Sequence, residues 1–250
     1  MALDEALMHR ATETGAWILR VYGWSAPTLS LGRNQTARGA YDLELLAARG
    51  IDVVRRPTGG RAILHDREIT YSVAAPLAEA GDLRESYARI NRLLIAALRA
   101  LGVDASVVAE EKRDTSRLNA NIEVDSPGLL PCFHHPSMGE IVFEGRKLIG
   151  SAQWRSDAAL LQHGSILIDD DQMQLSSLLV DKGPEIPPAA TLRDALGVAP
   201  SASRVADALF NAVRTLEDAS ACTLVTDAAL DERANRLRAQ YLDATWTWRR

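Results

Sequence analysis

Three stretches of this chain carry side chains able to do chemistry. The first is RRPTGGRAILHDREITYS, Arg55 to Ser72. Its adjacent Gly59 and Gly60 permit backbone conformations closed to other residues and let a ligand approach the main chain. Arg55, Arg56 and Arg61 surround them, and His65-Asp66 follows. The spacing matches neither GxGxxG nor a Walker loop. That leaves a phosphate or acyl-carrier cradle of another kind, or a tight turn with solvated arginines. The second stretch is LLPCFHHPSMGEIVFEGRKLIGSAQ, which holds Cys132, His134, His135 and Lys147. A free cysteine is commonly a small buried hydrophobe. Zinc ligation by Cys132, His134 and His135 is disfavoured, because the spacing is tight and no fourth ligand is in view. A lysine beside the thiol would lower its pKa and favour the nucleophilic thiolate. Lys147 is the candidate, an ordinary lysine on a wet sheet face being the alternative. The third stretch is LLQHGSIL. His163 there is a core histidine or a site residue, and Gly164 marks a bulge or a close approach to the strand. Cys222, in ASACTLVTD, has apolar neighbours and no nearby base and is assigned to packing.

The elements that must position these groups follow from periodicity. Leu3, Leu7, Met8 and Ala11 predict a helix over 2–13. WILRVYGW and TLSLG read as short strands interrupted by Pro27, AYDLELLAARG as a helix ending at Gly50, and IDVVRR as a strand. EITYSVAA alternates, with Glu68, Thr70 and Ser72 on one face and Ile69, Tyr71 and Val73 on the other, which predicts a half-buried strand. Tyr87, Ile90, Leu94, Ala97 and Leu101 form a helical stripe over 84–101. DASVVAEE reads as a strand, and 110–128 as a long exposed loop. GEIVFEG and RKLIGSAQW read as a hairpin turning at Glu144-Gly145. Strict alternation then groups Lys147 with Ile149, Ser151 and Gln153 on a site-facing side, with Leu148, Gly150, Ala152 and Trp154 opposite. ALLQHGSILI is a further strand. The C-terminal part is helical, with stripes Val205–Leu209–Ala212–Leu216 and Leu230–Ala234–Leu237–Tyr241, the second capped by Thr226.

These elements predict one α+β domain over 1–250, a mainly antiparallel or mixed sheet flanked by helices, with 183–191 a Pro-rich connector to the helical tail. The composition fits: 250 residues, 47% hydrophobic and 24% charged. No apolar run approaches the ~20 residues of a membrane span. The N-terminus MALDEALMHR lacks a signal core, so a cytoplasmic protein is expected. A net charge of -5 argues against general nucleic-acid binding. Two distant cysteines read as free thiols rather than a disulfide.

Taken together, RRPTGGRAILHDREITYS, PCFHHPS, GRKLIGSAQWR and LQHGSIL, in this order, resemble the biotin/lipoate protein ligase-like catalytic domain. The closer likeness is to the LipM-type octanoyltransferases, from MALDEAL through VYGWSAPTLSLGRNQ to about Asp169 and more loosely beyond. The resemblance implies that Cys132 accepts an octanoyl group as a thioester and that Lys147 assists at the acyl carbonyl. It implies a substrate site lined by the RRPTGG loop (Arg55, Arg56, Gly59, Gly60, Arg61), His65, Gly150, Ser151, Ala152, His163 and Gly164. The implied donor is octanoyl-acyl carrier protein. The acceptor is a lysine of a lipoyl domain such as the glycine cleavage H protein. No metal and no ATP are expected, and the protein is expected to act as a monomer.

The acyl chain is expected to lie against Gly59-Gly60, with the arginines facing the donor's phosphopantetheine or acidic surface. Arg55, Arg56, Arg61, Arg146 and Arg155 are expected to make one positive face. Lipoate-protein ligases, which share the fold and use ATP, usually read Gly-Gly-Gly where this chain has Arg61, and lack the cysteine of the PCF block. Lipoyl or octanoyl transfer between lipoyl domains, and a carrier-binding module without turnover, are the other readings. Relatives usually place a strand before the MALDEAL helix, so a sheet edge is expected to be incomplete. Many ligases carry an accessory domain that is not expected here.

Overall fold

The computed structural model describes residues 1–108, 133, 138–170, 172–181 and 186–250. Helix α1 (Ala2–Thr14) leads into strands β1 (Ile18–Tyr22) and β2 (Thr28–Leu31), helix α2 (Leu43–Ala48), and strands β3 (Asp52–Arg55), β4 (Ile63–His65) and β5 (Glu68–Pro76). Helix α3 (Leu83–Leu101) is followed by β6 (Ser106–Val107), β7 (Ile141–Phe143), β8 (Arg146–Arg155) and β9 (Ala159–Leu167). Helices α4 (Leu192–Leu196), α5 (Ala202–Leu216), α6 (Ala228–Leu242) and α7 (Ala244–Thr247) complete the chain. The class is the expected one, α+β.

Six strands form an antiparallel sheet in the order β1-β5-β9-β8-β7-β6. Three more make a small sheet, β3-β2-β4, with β2 parallel to β3 and antiparallel to β4. On one face of the large sheet, Ile69, Tyr71, Ile149 and Ile166 pack against Ile90 and Leu94 of α3 and Leu209 of α5. On the other, Ala74 and Leu161 meet Ala6, Leu7 and Ala11 of α1, and Leu230 of α6 closes the cluster. The stripe read for α3 is thus its buried face. Asp82 caps the helix in a reciprocal box with Glu85, and Gly102 ends it at φ 94°.

Strand β5 departs from the half-buried expectation, being buried along its whole length. Its polar face is covered because every polar residue on it finds a partner. Ser72 Oγ donates to Asp4 of α1 at 2.8 Å, and Thr70 Oγ1 donates to Glu68 at 2.7 Å. Alternation tells which residues share a face, not whether that face is wet.

The hairpin is where it was expected. Glu144 and Gly145 both have positive φ, 50° and 74°, joining β7 to β8 in the two-residue turn whose twist suits antiparallel strands. The register then slips. Val142 pairs with Lys147 but Ile141 with Ile149, so Leu148 is an extra residue, a β-bulge. Strict alternation along β8 is therefore wrong across Leu148.

Other readings shift by small amounts. Asp227, not Thr226, caps α6, its carboxylate accepting from Leu230 N. Leu216 ends the α5 stripe exposed. Of DASVVAEE, only Ser106–Val107 is a strand among the described residues, and the loop expected at 110–128 lies outside them. The described part of the connector is buried at Ile186, Ala189 and Ala190. Ala190 N donates to Lys147 O. Cys222 is exposed, not packed, in the irregular segment between α5 and α6.

Candidate active site

The RRPTGG loop joins β3 to β4 at one end of the small sheet, where it meets the α1-facing side of the large sheet. Its glycines serve the protein's own backbone first. A Cβ on Gly32, just after β2, would stand 1.8 Å from Gly60 O, so the two loops touch main chain to main chain. Gly60 sits at φ 92°, which favours glycine, while a Cβ on Gly59 would meet nothing within 4 Å.

The two arginines before the loop do not face solvent. Arg55 is 0% exposed and Arg56 2%. Arg55 Nη1 donates to Gly32 O at 2.6 Å and Gln35 O at 2.8 Å, and its Nε donates to Thr247 O at 2.8 Å. Burial, aided by nearby Arg249, Arg250 and Arg56, lowers the Arg55 pKa to about 10. Arg56 donates to Ser30 O, Gly59 O and Arg61 O. Both are clamps on backbone carbonyls that would otherwise be buried unpaired. The expected positive face therefore loses them. Arg146 is drawn to Asp194 and Ala189 O, and Arg155 donates to Gly81 O. Arg61 alone of the loop arginines is exposed.

Two histidines meet over the sheet. His163 of β9 lies 2.5 Å from Thr58 Oγ1 through its Nε2, while its buried Nδ1 has no partner among the described residues. Burial is the main cause of a pKa lowered to about 3, with Arg56 and His65 adding to it and Asp4 opposing, so the ring is neutral. His65 of β4 is stacked on Trp24, centroids 4.3 Å apart and planes at 18°. Its Nδ1 is 3.2 Å from Glu68 Oε1. Glu68 also accepts from Thr70 and, at 2.5 Å, from Ser165. His65, His163, Arg56, Gly150, Ser151, Ala152 and Gly164 border one narrow recess.

The bulge decides where Lys147 points. A Cβ on Gly150 would lie 3.2 Å from Lys147 Cε and 3.0 Å from Phe133 Cζ, so Lys147 is on the side of Gly150. Ser151 and Gln153 face the other way: Ser151 Oγ is 2.6 Å from Tyr71 Oη, and Gln153 Nε2 donates to Ser86 of α3. The expected grouping of Lys147 with Ser151 and Gln153 is thus corrected to Lys147 with Gly150. The lysine side chain is 1% exposed and ion-paired with Glu140, with Nζ 5.1 Å from the Phe133 ring centroid. Gly164 marks no bulge. A Cβ there would strike Gly150 O at 2.5 Å and Tyr71 at 2.7 Å, so it is needed for strand packing.

Cys132, His134 and His135 lie outside the described residues. Among the described residues no three His, Cys, Asp or Glu side chains cluster as a metal site, and no helix is long and apolar enough to cross a membrane. Glu68, Thr58, Phe133 and Glu140 are neighbours of the site that the sequence reading did not single out. Of these only Glu68 had a signal, the short HDRE turn that returns it beside His65.

Residues 1–214 match the model of the lipoyl protein ligase A/B catalytic domain. The octanoyltransferase LipM of Kyrpidia tusciae is 40% identical over 264 residues, covering all of this chain and 94% of the relative. That of Carboxydothermus hydrogenoformans is 42% identical, covering 74% of this chain and 66% of the relative. For that of Bacillus subtilis the figures are 39%, 72% and 64%. Among solved structures, a lipoate-protein ligase A bound with ATP superposes with a TM-score of 0.75 at 24% identity, covering 99% of this chain and 92% of that one. A bi-partite lipoate protein ligase from Thermoplasma acidophilum does so with 0.74 at 23%, covering 99% and 89%. These two likenesses speak to the fold.

Proposed function

This chain belongs to the lipoyl protein ligase A/B catalytic domain family, and on that footing we propose that it is an octanoyltransferase of lipoate assembly. It moves an octanoyl group from acyl carrier protein, through a thioester on Cys132, to a lysine of a lipoyl domain, with the glycine cleavage H protein as a candidate acceptor. The likeness to the octanoyltransferase LipM of Kyrpidia tusciae, along the whole chain, supports the reaction class. The observation that carries the mechanism is the buried Lys147 ammonium, turned by the Leu148 bulge to the side of Gly150 and beside Phe133, the residue after Cys132.

In the first step the Cys132 thiolate attacks the donor's thioester carbonyl and the carrier's thiolate leaves and takes up a proton. In the second the acceptor amine attacks the new thioester, forming the amide and returning the cysteine sulfur. The Lys147 ammonium favours the thiolate and the oxyanion of each tetrahedral intermediate, an effect often worth about 3 kcal/mol. The donor arrives activated, so neither ATP nor a metal enters either step. The packing of α6 on α1 supports reading 1–250 as one catalytic unit, and the site as proposed is complete in a monomer working in the cytoplasm.

Incubation with octanoyl-acyl carrier protein, without nucleotide, followed by intact mass measurement tests this. A single octanoyl adduct is expected, lost in Cys132→Ala and kept in Cys222→Ala. Modification that needs ATP and free acid would make the protein a ligase. Transfer only from a modified lipoyl domain would make it an amidotransferase.

A further inference from the structure

Aminolysis of a thioester raises a question about protons. The acceptor lysine is an ammonium at neutral pH, near its ordinary pKa of about 10.4. One proton must leave before nitrogen can attack, and a second as the amide forms. Lys147 cannot take them, being an ammonium already ion-paired with Glu140. His163 is neutral but a weak base, held low by burial, and its Nε2 is engaged with Thr58.

His65 is placed differently. Its Nδ1 faces a Glu68 carboxylate oxygen, an acceptor, so in the neutral ring the proton sits on Nδ1 and the lone pair on Nε2. Thr70 and Ser165 fix both carboxylate oxygens, Trp24 fixes the ring plane, and Trp24 Nε1 is itself tied to Thr70 Oγ1. The His65 Nε2 is buried and has no partner among the described residues. The ring borders the same recess as Gly150, which is in contact range of Lys147. The titratable groups around it are Glu68 from β5, Arg56 from the loop, His163 from β9 and, lining the same recess, Met1, whose N-terminal amine is paired with Asp4. A buried imidazole oriented by a carboxylate and otherwise open at Nε2 is equipped to receive a proton.

We propose that His65 is a catalytic proton carrier in the aminolysis half-reaction, with Glu68 as its positioning residue; the proposal rests on the transferase reading above. As the C–N bond forms and the C–S bond to Cys132 breaks, a proton passes from the acceptor nitrogen to His65 Nε2. That proton passes on to the cysteine sulfur, while the one lost before attack goes to solvent; in the next acylation the thiol proton is the one the carrier's sulfur takes up, so each turnover releases one proton to solvent.

The test separates the two half-reactions. Acyl-enzyme is formed from octanoyl-acyl carrier protein and followed by intact mass. It is then isolated and mixed with a lipoyl domain in single turnover. His65→Gln is expected to slow transfer by about 10²–10³-fold, far more than it slows acylation. Imidazole is expected to restore part of the transfer in His65→Ala. Glu68→Gln should slow transfer with little change in KM for the lipoyl domain. The unaltered protein should show a normal solvent deuterium isotope effect on transfer. Normal transfer by His65→Gln, or equal loss of both half-reactions with an unchanged melting curve, overturns the proposal. If the unaltered protein forms no acyl-enzyme, the transferase reading falls and this proposal with it.

Discussion

Glu140 and Lys147 form an ion pair across the β7–β8 hairpin, the carboxylate side chain 11% exposed and the lysine 1%. A pair so enclosed is weak evidence of net stability, but removing one partner leaves the other charged in a poor solvent. Glu140→Gln is expected to cost about 3 kcal/mol in denaturant unfolding. It should slow acylation more than Glu144→Gln, a change at the exposed turn of the same hairpin. Equal effects of the two changes would remove Glu140 from the site.

Two glycines of the large sheet should respond differently to one added methyl. At Gly150 it meets the edge of the Phe133 ring and Lys147 Cε at 3.0–3.2 Å, atoms that can give by a few tenths of an ångström. At Gly164 it meets the Gly150 carbonyl oxygen at 2.5 Å, which belongs to the neighbouring strand. Gly164→Ala is expected to cost about 2–3 kcal/mol and Gly150→Ala about 1 kcal/mol, measured by thermal melting. Gly150→Ala should lose more activity relative to its stability loss, because what it displaces is Lys147.

Gly59 and Gly60 separate the structural use of the opening motif from the functional one. Gly60→Ala puts a side chain at φ 92° and should cost about 1–2 kcal/mol. Gly59→Ala has open space and should leave the melting temperature nearly unchanged. If acyl substrate lies along this loop, Gly59→Ala raises the donor KM. An unchanged KM would move the acyl chain elsewhere.

Acid should destabilise the fold through His163. The unfolded chain protonates this group near 6.5, the folded one only near 3, because the ring is buried. Between those values the unfolded state binds more protons, so stability falls as pH falls, by up to about 1.4 kcal/mol per unit for this single group. The slope of unfolding free energy between pH 6 and pH 4 should be shallower in His163→Gln than in the unaltered protein.

Local rules made much of this readable. The α3 stripe, the Glu144-Gly145 turn and the strands of β5 and β9 follow from periodicity and turn chemistry, which act over a few residues. What escaped depends on distant partners. Leu148 looks like any strand residue, yet as a bulge it reverses the side on which Lys147 emerges. Arg55 and Arg56 look solvated, and only the carbonyls of Gly32, Gln35, Thr247 and Ser30 explain why they are inside. Glu68 and Ser72 look like a wet face until α1 and β4 are laid on it. Cys222 has apolar neighbours in sequence but none that bury it.

The bonds between residues 246–250 and the Arg55 loop carry a timing. Arg55 donates to Thr247 O, Trp246 Nε1 donates to Arg55 O, Ala37 and Arg38 donate to Arg250 O, and Arg249 to Arg33 O. These contacts span about two hundred residues of sequence. During synthesis the sheets and α1 can assemble while the loop over them is still slack, its Arg55 Nε without its acceptor. The Arg55 end of the loop therefore gains its last bonds only when residues 246–250 are in place. Nascent chains stalled short of Ala244 would lack these bonds around Arg55.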